Sequence, residues 1–263
     1  MNETEEGLHA NLKTTLSILE SLGFLINWDK STIIPSKYIE YLGMIVDSDR
    51  LSFSLPAAKV EDVMDTCKKA LADGEVPLRT VISILGNFTW AIPTIPFPQS
   101  HYRSMQHFCI TESKRVGGDL NVKCTISSGS VLDFEWWVSN LSALNGKDFP
   151  QKIPDIEIFA DASMSGWGAV CDGVATLGPW TTAQTSLPIN QLELTGALYA
   201  LQSFAGEAQG LSIRMYLDNS TAVCYINKGG GARSSELTTI AKELTEFSEM
   251  RNISKKLFTS PEQ

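Results

Sequence analysis

The chain has 263 residues, 43% hydrophobic and 19% charged, with a formal charge of −9 at neutral pH. That length supplies one large or two modest cores, and the composition is that of ordinary globular material rather than a disordered tail. The acidic balance excludes a strongly basic nucleic-acid coat protein. It does not exclude a nucleic-acid enzyme, because a local basic patch and bound cations offset phosphate charge. No apolar run approaches the roughly 20 residues that span a bilayer, and the acidic start MNETEEGLHA lacks the order of a signal peptide. Five scattered cysteines without a CxxC pair read as reduced thiols, which predicts an intracellular protein of cytoplasm or nucleus. The three histidines all precede residue 108, which argues against a Cys/His zinc site.

In chain order, residues 5–22 predict a helix with Leu8, Leu12, Leu16 and Leu19 on one stripe and Gly23 as its stop. Strands are expected at 24–27, 39–46 and 51–54, the last two joined by a turn over 47–50. Helices follow at 56–72 and 77–90. Residues 92–98 hold three prolines and must bend. Two more helices fit 99–113 and 129–143, and 146–154 reads as a linker. From Asp155 the pattern becomes three strands, a helix, a strand and two helices, so two domains meeting near residue 150 are expected.

Three acidic residues stand at element ends in this last part. Ile156, Ile158 and Ala160 alternate and lead to Asp161; Ile213, Met215 and Leu217 alternate and lead to Asp218. Glu193 opens a helical pattern whose apolar stripe continues through Ala197, Ala200 and Phe204. A carboxylate on an apolar stripe is costly without a cation or donor opposite it. Three of them in one small domain, without Cys or His, suit hard divalent cations such as Mg²⁺ or Mn²⁺. For any one of them taken alone, an ordinary solvated side chain is the competing reading.

These motifs, in this order, resemble the ribonuclease H (RNase H) domain of retroelement reverse transcriptases. In that family an Asp ends the first strand, a Glu lies early in the first helix and an Asp ends the fourth strand, positions matched here by Asp161, Glu193 and Asp218. SGWGAV (165–170) is similar to the second strand, and DNSTAVCYINKGGGARS (218–234) to the version in tyrosine-recombinase retrotransposons of the DIRS type. Upstream, LGFLINWDKSTIIPSKYIEYLGMIVDS (22–48) resembles the end of a reverse-transcriptase palm, with Lys30-Ser31 in its turn and Leu42-Gly43 in its hairpin. PLRTVISILGNFTWAIP and FEWWVSNLSALNGK resemble the thumb and connection that follow.

The resemblance implies an α/β protein with three parts. These are a palm end (1–55) carrying a small β-hairpin, thumb/connection helices (56–150), and an RNase H-like domain (151–263). The last is expected as a mixed five-stranded sheet with helices, its final strand and helix incomplete, in a chain truncated at both ends. It implies two-metal hydrolysis of the RNA strand of RNA–DNA hybrids, with Asp161, Glu193 and Asp218 as catalytic metal ligands and Asp161 touching both ions. No polymerase activity is expected, since the chain has no Asp-Asp pair and its first aspartate is Asp29. The family's fourth acid has no counterpart after Asp218, where Glu262 is the only acid beyond Glu249. That implies an incomplete two-ion site and weakened cleavage, or a catalytically inactive remnant that binds nucleic acid or a protein. An uncovered sheet edge is expected, to be met by a partner or a missing C-terminal segment.

Asn190 and Gln191 are implied minor-groove contacts, where 2′-hydroxyls mark RNA; helix capping by Asn190 is the alternative. Asn219 and Ser220 open the next helix, where their donors suit a phosphate or simply cap. Lys228, Arg233 and Arg214 are the nearest basic residues, read as phosphate contacts or as scattered surface charge. Gly229–Gly231 reads as a flexible turn. Trp136 and Trp137 read as packing, one of them pinning the connection to the nuclease domain, rather than as base-stacking rings.

Overall fold

The leucine stripe and a Thr4 hydroxyl that accepts from the Gly7 amide set helix α1 (Glu5–Ser21), seen in a computed structural model that describes residues 4–149 and 153–259. None of its residues is buried, and Gly23, at φ 82°, ends it. Residues 24–27 form no strand. The Asn27 side chain instead accepts the Lys30 amide at 3.2 Å and closes a 3₁₀ turn over Trp28–Lys30, the competition expected of a short polar side chain.

The single strand expected over 39–46 is a hairpin of β1 (Tyr38–Tyr41) and β2 (Met44–Asp47). Leu42 and Gly43 both sit at positive φ, the two-residue turn whose twist matches paired strands. A Cβ on Gly43 would also lie 2.9 Å from the Trp90 ring. β3 (Ser52–Ser54) pairs with β2 across the expected 47–50 turn, where Asp47 accepts the amides of Asp49 and Arg50.

Four helices build the first core: α2 (Ala57–Asp73), α3 (Leu78–Ala91), α4 (Arg103–Arg115) and α5 (Ser128–Leu144). Between them, β4 (Glu75–Pro77) pairs with β5 (Lys123–Thr125). Phe88 stacks on Trp137 at 4.1 Å, both fully buried beside Phe134, Met105 and Leu141. α4 begins four residues later than its pattern suggested, because Phe97 at φ 55° and a 3₁₀ segment over Pro98–Tyr102 occupy the start. Part of the expected linker is strand: β6 (Lys147–Asp148) joins the edge of β3. Residues 150–152 lie outside the described residues.

The second core belongs to a five-stranded sheet. β7 (Ile156–Ala162), β8 (Gly166–Cys171) and β9 (Val174–Pro179) form an antiparallel meander. After α6 (Ile189–Ala205), β10 (Ser212–Leu217) lies parallel to β7, and after α7 (Ser220–Asn227) and α8 (Ser235–Met250), β11 (Ser254–Thr259) lies parallel to β10. The order is β11-β10-β7-β8-β9. Ile158, Met215 and Leu257 turn one face toward the helices. The other face carries Phe159, Tyr216 and Phe258 side by side, with Phe159 and Tyr216 stacked at 4.6 Å.

This sheet corrects the expectation of an incomplete last strand. Lys255 and Lys256 do not stop it, because Leu257 is the inward residue and both its backbone groups pair with the Asn227 side chain. The edge of β10 is therefore covered, and the opposite face, not that edge, stands open. Glu262 lies outside the described residues.

The three glycines after α7 are also corrected, from a flexible turn to a packed one. A Cβ on Gly229 would meet Gln99 and Ser100 at 3.0–3.1 Å, and one on Gly230, at φ 112°, would lie 2.7 Å from Thr238 Cγ2. Gly230→Ala is expected to cost about 2 kcal/mol from overpacking and an unfavourable backbone angle. A lower denaturation midpoint with unchanged slope is the measurement.

Candidate metal centre at the ends of two parallel strands

β7 and β10 are parallel neighbours, so their carboxyl ends lie side by side. Tyr216 pairs with Phe159, and each is followed two residues later by an acid, Asp218 and Asp161. The alternation that buries Ile158 and Ala160 leaves Asp161 exposed, and Asp218 sits just past Leu217, also exposed. Glu193 comes from the first turns of α6, which packs across β7. Gly196 permits the approach: a Cβ there would lie 3.3 Å from the Ala162 Cβ and 3.4 Å from the Trp167 Cβ. Ala197 and Ala200 are buried on the stripe that Glu193 opens, with Phe204 partly buried.

The result is convergence. One carboxylate oxygen from each of Asp161, Glu193 and Asp218 lies within 4.8 Å of the other two. Asp161 is oriented by the Ala162 amide, which donates to its Oδ1 at 2.8 Å. Glu193 is only 5% exposed, and its Oε2 is buried without a hydrogen-bond partner. Burial first, then the charges of Asp218 and Asp161, push its carboxyl up from 4.5 to about 7. Three acids aimed at one point, with no salt bridge to any of them among the described residues, repel each other when ionised unless a cation lies between them. An orphaned buried oxygen and an all-oxygen donor set fit a divalent ion of the Mg²⁺ or Mn²⁺ kind.

The four implied substrate contacts fall on one rim. Asn190 does not cap α6, since Pro188 holds the cap position. Its Oδ1 instead accepts from Asn219 Nδ2 at 2.9 Å, tying the starts of α6 and α7 together. Asn219 caps α7, accepting the Ala222 amide at 3.0 Å. Gln191 is half-buried beside Asn190, and Ser220 is exposed in the first turn of α7. Asn219→Ala removes both the cap and the bridge, and we expect about 1 kcal/mol lost in thermal denaturation.

Of the basic residues, Arg214 is engaged by Glu157 at 2.9 Å on the open sheet face and is not a free phosphate contact. Trp137 is buried and donates to the His101 carbonyl, while Trp136 stacks on the His101 ring at 3.8 Å. His101 in turn meets Glu249 of α8 at 2.9 Å. His101, braced by Trp136, is thus the residue that joins the helical part to the sheet part, through Glu249. His101 and Glu249 carried no sequence signal of this contact, which joins residues 148 apart.

No family profile matches the chain. No curated protein matches it either. Among solved structures, the whole chain aligns with 34% of a foamy viral protease-reverse transcriptase in complex with RNA/DNA hybrid, at 15% identity and a TM-score of 0.45. It aligns with 45% of a foamy viral protease-reverse transcriptase dRH in complex with double-stranded DNA, at 16% identity and a TM-score of 0.43. Forty per cent of the chain aligns with 85% of RNase H1 from the halophilic archaeon Halobacterium salinarum, at 14% identity and a TM-score of 0.34. The chain spans about a third to a half of the length of these viral proteins. The five-stranded unit has an acid at the ends of its first and fourth strands and one early in its first helix, the arrangement that the sequence resemblance implied.

Proposed function

We propose that the protein is an RNase H-type nuclease that hydrolyses the RNA strand of RNA–DNA hybrids with Mg²⁺ or Mn²⁺. The observation that carries this is the meeting of Asp161 and Asp218, at adjacent strand ends, with Glu193 of α6, whose buried Oε2 has no hydrogen-bond partner among the described residues. Divalent cations held there supply an activated water and stabilise the leaving oxygen of a phosphodiester displacement. Asp161, oriented by the Ala162 amide, and Asp218 would hold the ions with exposed carboxylates, and Glu193 would hold them from the buried side. Asn190, Gln191, Asn219 and Ser220 form the rim against which the hybrid lies, with amides suited to the minor groove and its 2′-hydroxyls. In this reading residues 151–263 are the nuclease unit, 56–150 the thumb and connection helices, and 1–55 a palm end. The DIRS-type retroelement origin rests on the motif at 218–234.

A second reading, a binding module without turnover, has its own support: the acidic cluster holds three carboxylates, and no fourth joins it among the described residues. The open face bearing Phe159, Tyr216 and Phe258 then takes a partner or a further segment. Incubating the full chain and Mn²⁺ with labelled hybrid, duplex DNA and duplex RNA of one sequence separates the readings. Cleavage confined to the RNA of the hybrid supports the nuclease. Hybrid binding with no product in any arm supports the module.

A further inference from the structure

A second polar surface lies at the other end of α7. Between α4 and the N-terminal half of α8 runs a groove of about 840 Å³, its floor closed by the packed glycine turn. Both parts of the chain line it: Arg103 and His107 from the helical core, Arg233 and Lys242 from the sheet unit. In a chain of net charge −9 this is a concentration of positive charge. The one acid in its lining, Glu112, is tied to Arg115 at 2.6 Å. Lys242 is half-exposed, with a loose pairing to Glu246 at 3.8 Å and a longer-range attraction to the buried Asp133 carboxylate.

Arg103 is the informative residue. Its guanidinium donates to Gln106 Oε1 and to the Lys228 carbonyl and lies over the Tyr102 ring, yet no carboxylate neutralises it. Its Nε is buried with no hydrogen-bond partner. Desolvation lowers its proton affinity, the sign of a cation held where an anion would be welcome. A part-buried guanidinium without a counter-charge is costly in a settled fold, and a phosphate oxygen is the acceptor that its fork geometry suits.

We propose that this interdomain groove is a phosphodiester-binding site that takes the backbone of the same nucleic acid whose scissile strand reaches the carboxylates. The identity of that ligand rests on the nucleic-acid reading above. The geometry is compatible in scale. α7 has eight residues, about 12 Å of helix, with the Asp218 end at one extremity and Gly229 at the other. That is the length of three to four base pairs at about 3.4 Å each, so the span from one end of α7 to the other is one that a single duplex would cover. Because Arg103 and His107 come from one core and Arg233 and Lys242 from the other, binding would also hold the two parts in register.

The test is the salt dependence of hybrid binding by fluorescence anisotropy, in EDTA so that nothing is cut. Arg233→Ala/Lys242→Ala removes two exposed cations and is expected to lower the slope of log K against log salt by about 2, with weaker binding to every sequence alike. Arg233→Lys/Lys242→Arg should restore the slope, which a merely misfolded variant would not do. An unchanged slope in the alanine variant overturns the proposal, whether or not the wild type cleaves. Asp161→Asn should leave the groove's share of the slope intact. A protein that never cleaves yet loses those two units keeps the groove and loses the nuclease. Inorganic phosphate that binds at Arg233 and Lys242 without displacing hybrid also overturns the proposal, because the site would then serve free anions.

Discussion

Asp161→Asn is expected to abolish metal-dependent cleavage of hybrid while leaving the fold intact. The amide oxygen of asparagine still accepts the Ala162 N–H now donated to Oδ1 at 2.8 Å, so the strand end keeps its geometry. What disappears is one of three charges converging within 4.8 Å. Metal assistance contributes several kcal/mol of transition-state stabilisation, and about 4 kcal/mol corresponds to roughly a thousandfold in rate. Single-turnover cleavage of labelled hybrid is the measurement, with circular dichroism and melting temperature as the folding control. Relief of like-charge repulsion predicts that the variant without metal melts no lower than wild type. Equal rates from both proteins would remove the nuclease reading, since no other side chain at the cluster could replace a lost ligand at Asp161.

The long elements were legible because their periodicity reports burial directly. α2, α3, α5 and the strands β7 and β10 fall within a residue or two of their patterns, α6 starts four residues before the Glu193 that opened its pattern, and the two strand-end acids follow from alternation alone. What was not legible depended on partners distant in the chain. β6 is two residues long and exists because the edge of β3 is beside it. β11 carries two lysines near its start and looks like a departing tail until Asn227, 30 residues earlier, pairs with Leu257. Gly229–Gly231 has the composition of a loose turn, yet Gln99 and Thr238 pack against it. Asn190 has a capping side chain, but Pro188 precedes it and shifts the helix start, leaving the amide to reach Asn219. Local rules failed wherever the second partner lay on another element. The convergence of Glu193 with the aspartates belongs to the same class: its helical stripe was visible, while its distance to Asp161 required Gly196 to be recognised as a contact point.

The buried acid gives the second large effect, a pH dependence that metal should invert. Glu193 in the folded chain holds its proton up to about pH 7, against an ordinary 4.5, chiefly through burial and then through Asp218 and Asp161. Between those values the folded state retains a proton that the unfolded chain has released. The associated stability is therefore present in full below about pH 4.5 and lost as pH rises through about 7. At about 1.36 kcal/mol per pKa unit the difference amounts to about 3 kcal/mol for this 5%-exposed side chain. Urea denaturation in EDTA should show wild type losing that amount relative to Glu193→Gln between pH 5 and pH 8, which cancels the other titrating groups common to both. Mg²⁺ binds the ionised carboxylate and must displace the proton, so its affinity rises with pH through the same window. Added Mg²⁺ should accordingly raise the melting temperature strongly at pH 8 and little at pH 5, following mass action on the folded state. In Glu193→Gln the pH-dependent part of that gain should vanish. A Mg²⁺ shift of equal size at both pH values in wild type would mean that the ion binds elsewhere, and the buried Oε2 of Glu193 would then need another explanation than a cation.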